Sequence, residues 1–232
     1  MPSVDLQYIR SRQREMRHAI RLSSPALVYS GSIGIVIIAA NKSQVRDRIG
    51  KILDRMAVVS RGELTASDIV HKVAAGEAYS LAQILSRGDV LGYEPVQAVS
   101  ALLSRHYHSF LGEPLTVESC FVQLNTAPEN DYLSHISPDG SVQLFEHMHY
   151  MGPAGDAEQS ERSGDEALKQ LNDRLLEHYQ DYPTPSALVT DMERNPSLAP
   201  LFTAGRRRDI VVLDRKALER RDFDSIFKRL AL

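Results

Sequence analysis

The chain has 232 residues, 43% hydrophobic and 25% charged, which suffices for one sizeable core in a single domain spanning 1–232. A formal net charge of −3 and a pI near 6.2 provide no global field for nucleic acid. Cys120 is the only cysteine, which excludes an intrachain disulfide and a thiolate metal cluster and fits a reducing cytosol. The first eight residues, MPSVDLQY, lack a basic segment leading into an apolar one, and the longest apolar run, 33–40, contains Gly34 and is too short to cross a bilayer. A soluble, cytoplasmic protein without a membrane partner is expected. The sequon Asn41-Lys42-Ser43 is then accidental.

In chain order, residues 5–22 set Leu6, Ile9, Met16, Ile20 and Leu22 among five arginines and His18, the pattern of a surface helix too weakly apolar for a core. Pro25 ends it. Residues 26–29 and 34–40 read as a hairpin turning through Gly31-Ser32. Residues 56–60 form a short strand closed by Gly62. Thr65 or Ser67 can cap a helix with Ile69, Val70, Val73, Ala74, Ala78, Leu81, Ala82 and Leu85 at helical spacing. The turn at Arg87-Gly88-Asp89 breaks it. Pro95 then opens a second helix carrying Val96, Val99, Leu102, Leu103 and Phe110, which Gly112-Glu113-Pro114 stops.

Strand-like runs follow at 115–124, 132–137 and 141–150, the last two joined by the turn Pro138-Asp139-Gly140. Residues 152–164 are small and polar and read as a loop. Leu168, Leu171, Leu175 and Leu176 mark a helix over 166–179, Thr184-Pro185 starts another through Arg194, 210–213 is a late strand, and 215–230 reads as a final charged helix. Two helix pairs separated by sheet segments can cover opposite sides of two packed sheets, which gives four layers; pattern alone also leaves a three-layer α/β domain open.

His147-Met148-His149 could place two imidazoles on one strand face, and His106-Tyr107-His108 lies at a helix end, but neither has a third ligand, so no metal or other cofactor is expected. Cys120 sits in an apolar strand and reads as a buried, inert thiol. Arg206-Arg207-Arg208 and the arginine-rich first helix are the features a nucleic-acid-binding module would use; without aromatic platforms they read as solvated edges.

The basic first helix, Tyr29-Ser30-Gly31, Ala39-Ala40-Asn41, Arg48-Ile49, Leu53-Asp54-Arg55, Arg61-Gly62, Arg87-Gly88-Asp89-Val90 and Glu118-Ser119-Cys120 follow one another in an order and spacing that resembles bacterial proteasome α-type subunits over about residues 8–215. The resemblance implies an α+β fold, a four-layer αββα sandwich of two antiparallel sheets between helix pairs with an N-terminal surface helix, in the N-terminal nucleophile hydrolase superfamily. It also implies a non-catalytic subunit of a threonine-peptidase complex active in protein degradation. Such a subunit forms a homo-heptameric ring on β-type subunits, gates substrate access and docks a regulatory ATPase ring or other activator.

By that likeness residues 1–24 are the gate tail and helix, with Met1, Pro2, Ser3, Val4, Asp5 and Leu6 as the gate and 7–22 as the helix behind it. Arg48 falls where the family has a lysine that clamps the activator's C-terminal carboxylate, a role a guanidinium can fill bidentately in a pocket of different shape. A self-processed amidohydrolase would instead begin at Ser23 or Ser24, using the freed α-amine as base. Pro25 follows Ser24, and Asn41 stands where catalytic relatives of the fold carry a supporting aspartate, so both serines read as helix-ending loop residues.

Overall fold

Residues 34–41, GIVIIAAN, and 56–62, MAVVSRG, are buried along their whole length. A strand buried on both faces needs a layer on each side, so each of these must lie inside a sheet covered twice over. The computed structural model describes residues 2–109, 113–153, 161–179 and 182–230, and the side chains of all of these except 2–6 and 161–165.

Helix α1 (Pro2–Arg21) leads into β1 (Ala26–Gly31), β2 (Gly34–Asn41), β3 (Ile49–Leu53), β4 (Met56–Gly62), α2 (Leu64–Ile84) and α3 (Tyr93–His108). Then come β5 (Val117–Gln123), β6 (Tyr132–Ile136), β7 (Val142–Leu144), β8 (Met148–Met151), α4 (Glu161–His178) and α5 (Pro185–Arg194). The chain closes with α6 (Ala199–Thr203), β9 (Arg207–Asp214), α7 (Arg215–Glu219) and β10 (Phe227–Arg229). One five-stranded sheet has the order β10-β9-β2-β1-β8 and the other β3-β4-β5-β6-β7, with every pairing antiparallel.

Strand periodicity sorts the apolar residues into three layers. Val28, Ile35 and Ile37 join Val59, Cys120, Val122 and Leu213 between the sheets. Their neighbours Leu27, Val36 and Ile38 face the other way and pack with Leu175, Leu188 and Met192 of α4 and α5. Val58 and Phe121 meet Val70, Ala74, Val99 and Leu103 of α2 and α3. The four-layer αββα sandwich is therefore the architecture adopted, and each fully buried Val, Leu or Ile contributes about 1.5–3 kcal/mol to it.

Local chemistry accounts for several of the joints. Gly34 sits at φ +120°, and a Cβ there would lie 2.0 Å from the carbonyl oxygen of Leu213 on β9, so only glycine fits between β1, β2 and β9. Gly140 N donates to Ser137 O at 2.9 Å in the β6–β7 turn, and Asp139 Oδ1 accepts from Ser141 N at 2.9 Å. Thr184 Oγ1 accepts from Ala187 N at 3.2 Å and caps α5 as its sequence predicts. At the opposite end of the sandwich from the start of β1, the buried pair Arg215–Asp131 ties α7 to the β5–β6 connection, at 2.7 Å between Nη2 and Oδ2.

Several expectations are corrected. The run 141–150 is not one strand: β7 stays on β6, while β8 crosses to the other sheet and pairs with β1. Phe145 packs against the inter-sheet core and His147 takes φ +50°, which turns the chain between the sheets. The final helix over 215–230 stops at Glu219. Arg221 at φ +58° breaks it, Ile226 is buried, and β10 satisfies the free edge of β9.

Strand β3 has no counterpart in the sequence reading, because its apolar residues are split by Gly50 and Lys51. Helix α2 starts at Leu64 after Glu63 with no side-chain cap; Ser67 Oγ instead donates back to Glu63 O at 2.9 Å. Helix α1 starts at Pro2 rather than Gln7 and is more than a surface helix, since Met16 and Ile20 are buried. Pro2 suits a first helical position because it has no N–H to satisfy. Phe110, Gly112 and most of the loop expected over 152–164 lie outside the described residues.

Candidate functional site

The end of the sandwich where β1 begins concentrates the polar residues that the core does not explain. Helix α1 reaches it and delivers Ser23, Ser24 and Pro25 to the first strand. Arg61, 3% exposed at the end of β4, donates through Nη2 to the carbonyls of Ile20 at 2.6 Å and Arg21 at 3.1 Å. These are terminal helix carbonyls without partners inside the helix, so the arginine acts as a cap supplied by the sheet. Its Nε lies 3.3 Å from Ser23 Oγ and 3.3 Å from Glu118 Oε1 on β5.

Burial alone would raise the Glu118 carboxyl, but the Arg61 guanidinium, helped by His135, holds it at about 2. His135 Nε2 stands 3.6 Å from Glu118 Oε2, an electrostatic rather than hydrogen-bonding separation. His149 on β8 lies over both His135 and Phe145, each with ring centroids 4.8 Å apart. Burial and the neighbouring His135 push the His149 imidazole down to about 3, so it is neutral at physiological pH. Next to Glu118, Cys120 is fully buried with Sγ 3.5 Å from Met151 Sδ, and burial raises its thiol well above the usual range. Both the burial its strand context predicts and the raised thiol oppose thiolate chemistry there.

The serines sit on the same end. Ser23 Oγ donates to Ile20 O at 2.6 Å. Ser24 is 3% exposed, and its hydroxyl has no partner among the described residues. Both lie in the short link between the last turn of α1 and the start of β1.

At the same end of the sheet, Asn41 is fully buried and donates through Nδ2 to Asp209 Oδ2 and to Arg46 O, both at 2.7 Å. This burial excludes glycan attachment at the sequon. Arg48, 5% exposed, donates its backbone N–H to Asp209 Oδ2 at 3.0 Å, and its Nη1 to Gly62 O at 2.9 Å and Ser67 Oγ at 3.4 Å. Burial lowers its pKa, with Asp209 opposing, and its Nε has no partner among the described residues. The structure thus brings Arg48 and Asn41 onto one shared carboxylate, while Arg61 and Ser23 form a separate group.

Beneath them Ser60 Oγ meets His71 Nε2 at 3.1 Å and Ser119 Oγ at 2.7 Å, and burial pushes His71 down to about 4. This His–Ser–Ser chain links α2 to the adjacent strands β4 and β5.

Other candidates fall apart. Among the described residues no group of three His, Cys, Asp or Glu could hold a metal. His106 Nδ1 lies 3.1 Å from Glu113 O, and His108 packs edge-on to Tyr107. Arg207 pairs with Asp47 and Asp209, and Arg208 with Glu193, so this triplet is mostly internal bridging. Met1 and the side chains of 2–6, where the gate was expected, lie outside what the structure describes. Sequence reasoning missed Glu118 and Asp209 as partners of Arg61 and Arg48; a lone acid inside an apolar strand was the only available signal.

Six curated relatives of this chain carry one description. It is 24% identical over 172 residues, 74% of the chain and 70% of the relative, to a proteasome subunit alpha of Acidothermus cellulolyticus. The resemblance to proteasome alpha subunits holds. It extends over 97% of the chain and 75% of the relative for Geodermatophilus obscurus at 22% identity. A match to Salinispora tropica is 26% identical but spans 59% of the chain and 52% of the relative. No protein-family model matches the chain. Among the described residues, no helix is long and apolar enough to cross a membrane.

Proposed function

We propose that this chain is a non-catalytic α-type subunit of a bacterial proteasome core particle, acting in protein degradation. In this reading it forms a cytoplasmic homo-heptameric outer ring on β-type subunits, with residues 1–6 at the pore. The observation that carries the reading is the seal on the strand end. Met16 and Ile20 of α1 are buried, and Arg61 caps the last carbonyls of the helix, so Ser23 and Ser24 continue a helix instead of presenting a nucleophile.

Native mass of the chain recovered from its own cells, with peptide hydrolysis on the same fraction, tests this. A particle of several hundred kilodaltons with a second, threonine-initiated chain is expected; a monomer without such a partner refutes it. Deleting residues 1–6 raises peptide hydrolysis by the assembled particle if they close the pore.

Arg48 is the proposed clamp for an activator's terminal carboxylate. Its Nη1 is committed to Gly62 O and Ser67 Oγ, which leaves the Nε edge for a carboxylate. Docking therefore has to open the cover over a residue only 5% exposed. Arg48→Ala abolishes salt-sensitive activator binding with assembly intact if the assignment is right, and leaves binding unchanged if it is not.

The buried, partnerless Ser24 hydroxyl favours one second reading, a self-processed amidohydrolase beginning at Ser23 or Ser24. Intact mass separates the two, because processing removes more than twenty residues.

A further inference from the structure

Helix α1 carries Arg10, Arg14, Arg17 and Arg21, all exposed. Helix α4 carries Glu166, Gln170, Asp173 and Glu177, also all exposed. Both sets follow the same spacing, i, i+4, i+7 and i+11. At 3.6 residues per turn each forms a ridge within roughly 60° of arc and about 16 Å long. One ridge is wholly basic and the other has three acids and an amide, so one can lie along the other with opposite charges in step.

Each ridge is held by a rigid support. Met16, Ile20 and the Arg61 cap fix α1 over β4. Leu171 and Leu175 are buried on the far side of α4 from its acids, and Asn172 exchanges hydrogen bonds with the backbone of Tyr150 on β8, at 2.6 Å as acceptor and 3.3 Å as donor. Pre-set helices lose little freedom on pairing. Among the described residues, Arg10, Arg14, Asp173 and Glu177 make no ion pair within the chain, and Arg17 donates only to Tyr107 OH at 3.2 Å. Lys169 and Arg174 flank the acidic ridge and confine it to one helix face.

We propose that the arginine ridge of α1 docks on the acidic ridge of α4 in a neighbouring copy of this chain. The two surfaces differ, so the contact is head-to-tail, the kind that closes into a ring when its rotation permits. The proposal rests on the α-ring reading and adds the surfaces that define the subunit contact. The pairs are exposed at the rim, so their attraction fades beyond the Debye length of about 8 Å at physiological salt, and they steer and set register more than they add affinity.

The test is charge exchange, read as native mass of the tagged chain recovered from its own cells at low and physiological salt. The variants are R10E/R14E, D173K/E177K and all four together. The expected result is that each double variant drops at least tenfold in assembled fraction, and that the quadruple variant, which restores opposite ridges, regains the wild-type particle.

Double variants that assemble like wild type, or a quadruple variant that stays dispersed, overturn the pairing and leave the ring reading standing. A wild-type chain that is itself monomeric removes the ring reading and the pairing with it. Should R10E/R14E assemble normally but lose retention on single-stranded DNA, the arginine ridge serves phosphate and the pairing is again refuted.

Discussion

Replacing Arg215 with methionine tests the buried ion pair that ties the two sheets together far from α1. The Arg215 side chain is 4% exposed and that of Asp131 fully buried, and the guanidinium meets the carboxylate twice, Nη2–Oδ2 at 2.7 Å and Nη1–Oδ1 at 3.1 Å. Nη2 also donates to Gly31 O at 3.1 Å, and Nη1 to Asn125 O. In Arg215→Met, Asp131 keeps donors from Ser30 Oγ at 2.5 Å and Asn125 N at 2.7 Å but loses its countercharge.

Stranding a buried charge in this way costs about 3–5 kcal/mol, more than the pair itself contributes. For a chain of this size, a urea slope near 3 kcal/mol per molar converts that loss to a midpoint lowered by about 1–2 M. The double variant R215M/D131N removes both charges, keeps an amide oxygen to accept one of the two donors from Ser30 and Asn125, and recovers part of the loss. A single variant within about 1 kcal/mol of wild type, at unchanged slope, would falsify the reading of this contact as a desolvated pair.

Three further outcomes are expected. His71 and His149 are held near 4 and 3 by burial, so between the ordinary histidine range near 6.5 and those values the unfolded chain binds more protons than the folded one. Stability therefore falls as pH drops through this window, by about 1.4 kcal/mol per pH unit for each histidine. Glu118, held at about 2, extends the fall below pH 4.5. In denaturation series from pH 7 to 4, H149F flattens the slope by about half; an unchanged slope refutes the assignment.

Arg61→Met uncaps α1, and limited proteolysis should then cut near residues 21–24 at least tenfold faster while the sheets persist in circular dichroism; equal cutting rates contradict the capping role. Gly34→Ala forces a Cβ to within 2.0 Å of Leu213 O at φ +120°, and a melting temperature that falls by less than a few degrees would show that the hairpin has another way to seat on β9.

Periodicity and turn chemistry in the sequence determined the helix cores α2 to α5, the β1–β2 hairpin, the Pro138-Asp139-Gly140 turn and the burial of Cys120. In each, the signal is local, carried by residues within one or two turns of one another. The resemblance to proteasome alpha subunits was equally legible, because it lies in the order of short motifs along the chain.

Only the tertiary structure decided that 141–150 divides between two sheets, that 227–229 is an edge strand instead of helix, and that α1 is pinned to the sandwich. These outcomes depend on which backbone edge lacks a partner and which carbonyl meets a distant arginine. The same holds for the site: Arg48 was named from its position, but its burial on Asp209 and Ser67, and the bond of Arg61 to α1, join residues 19 to 161 positions apart. Pairings at that separation are set by how the layers stack, and no window of the sequence contains both partners.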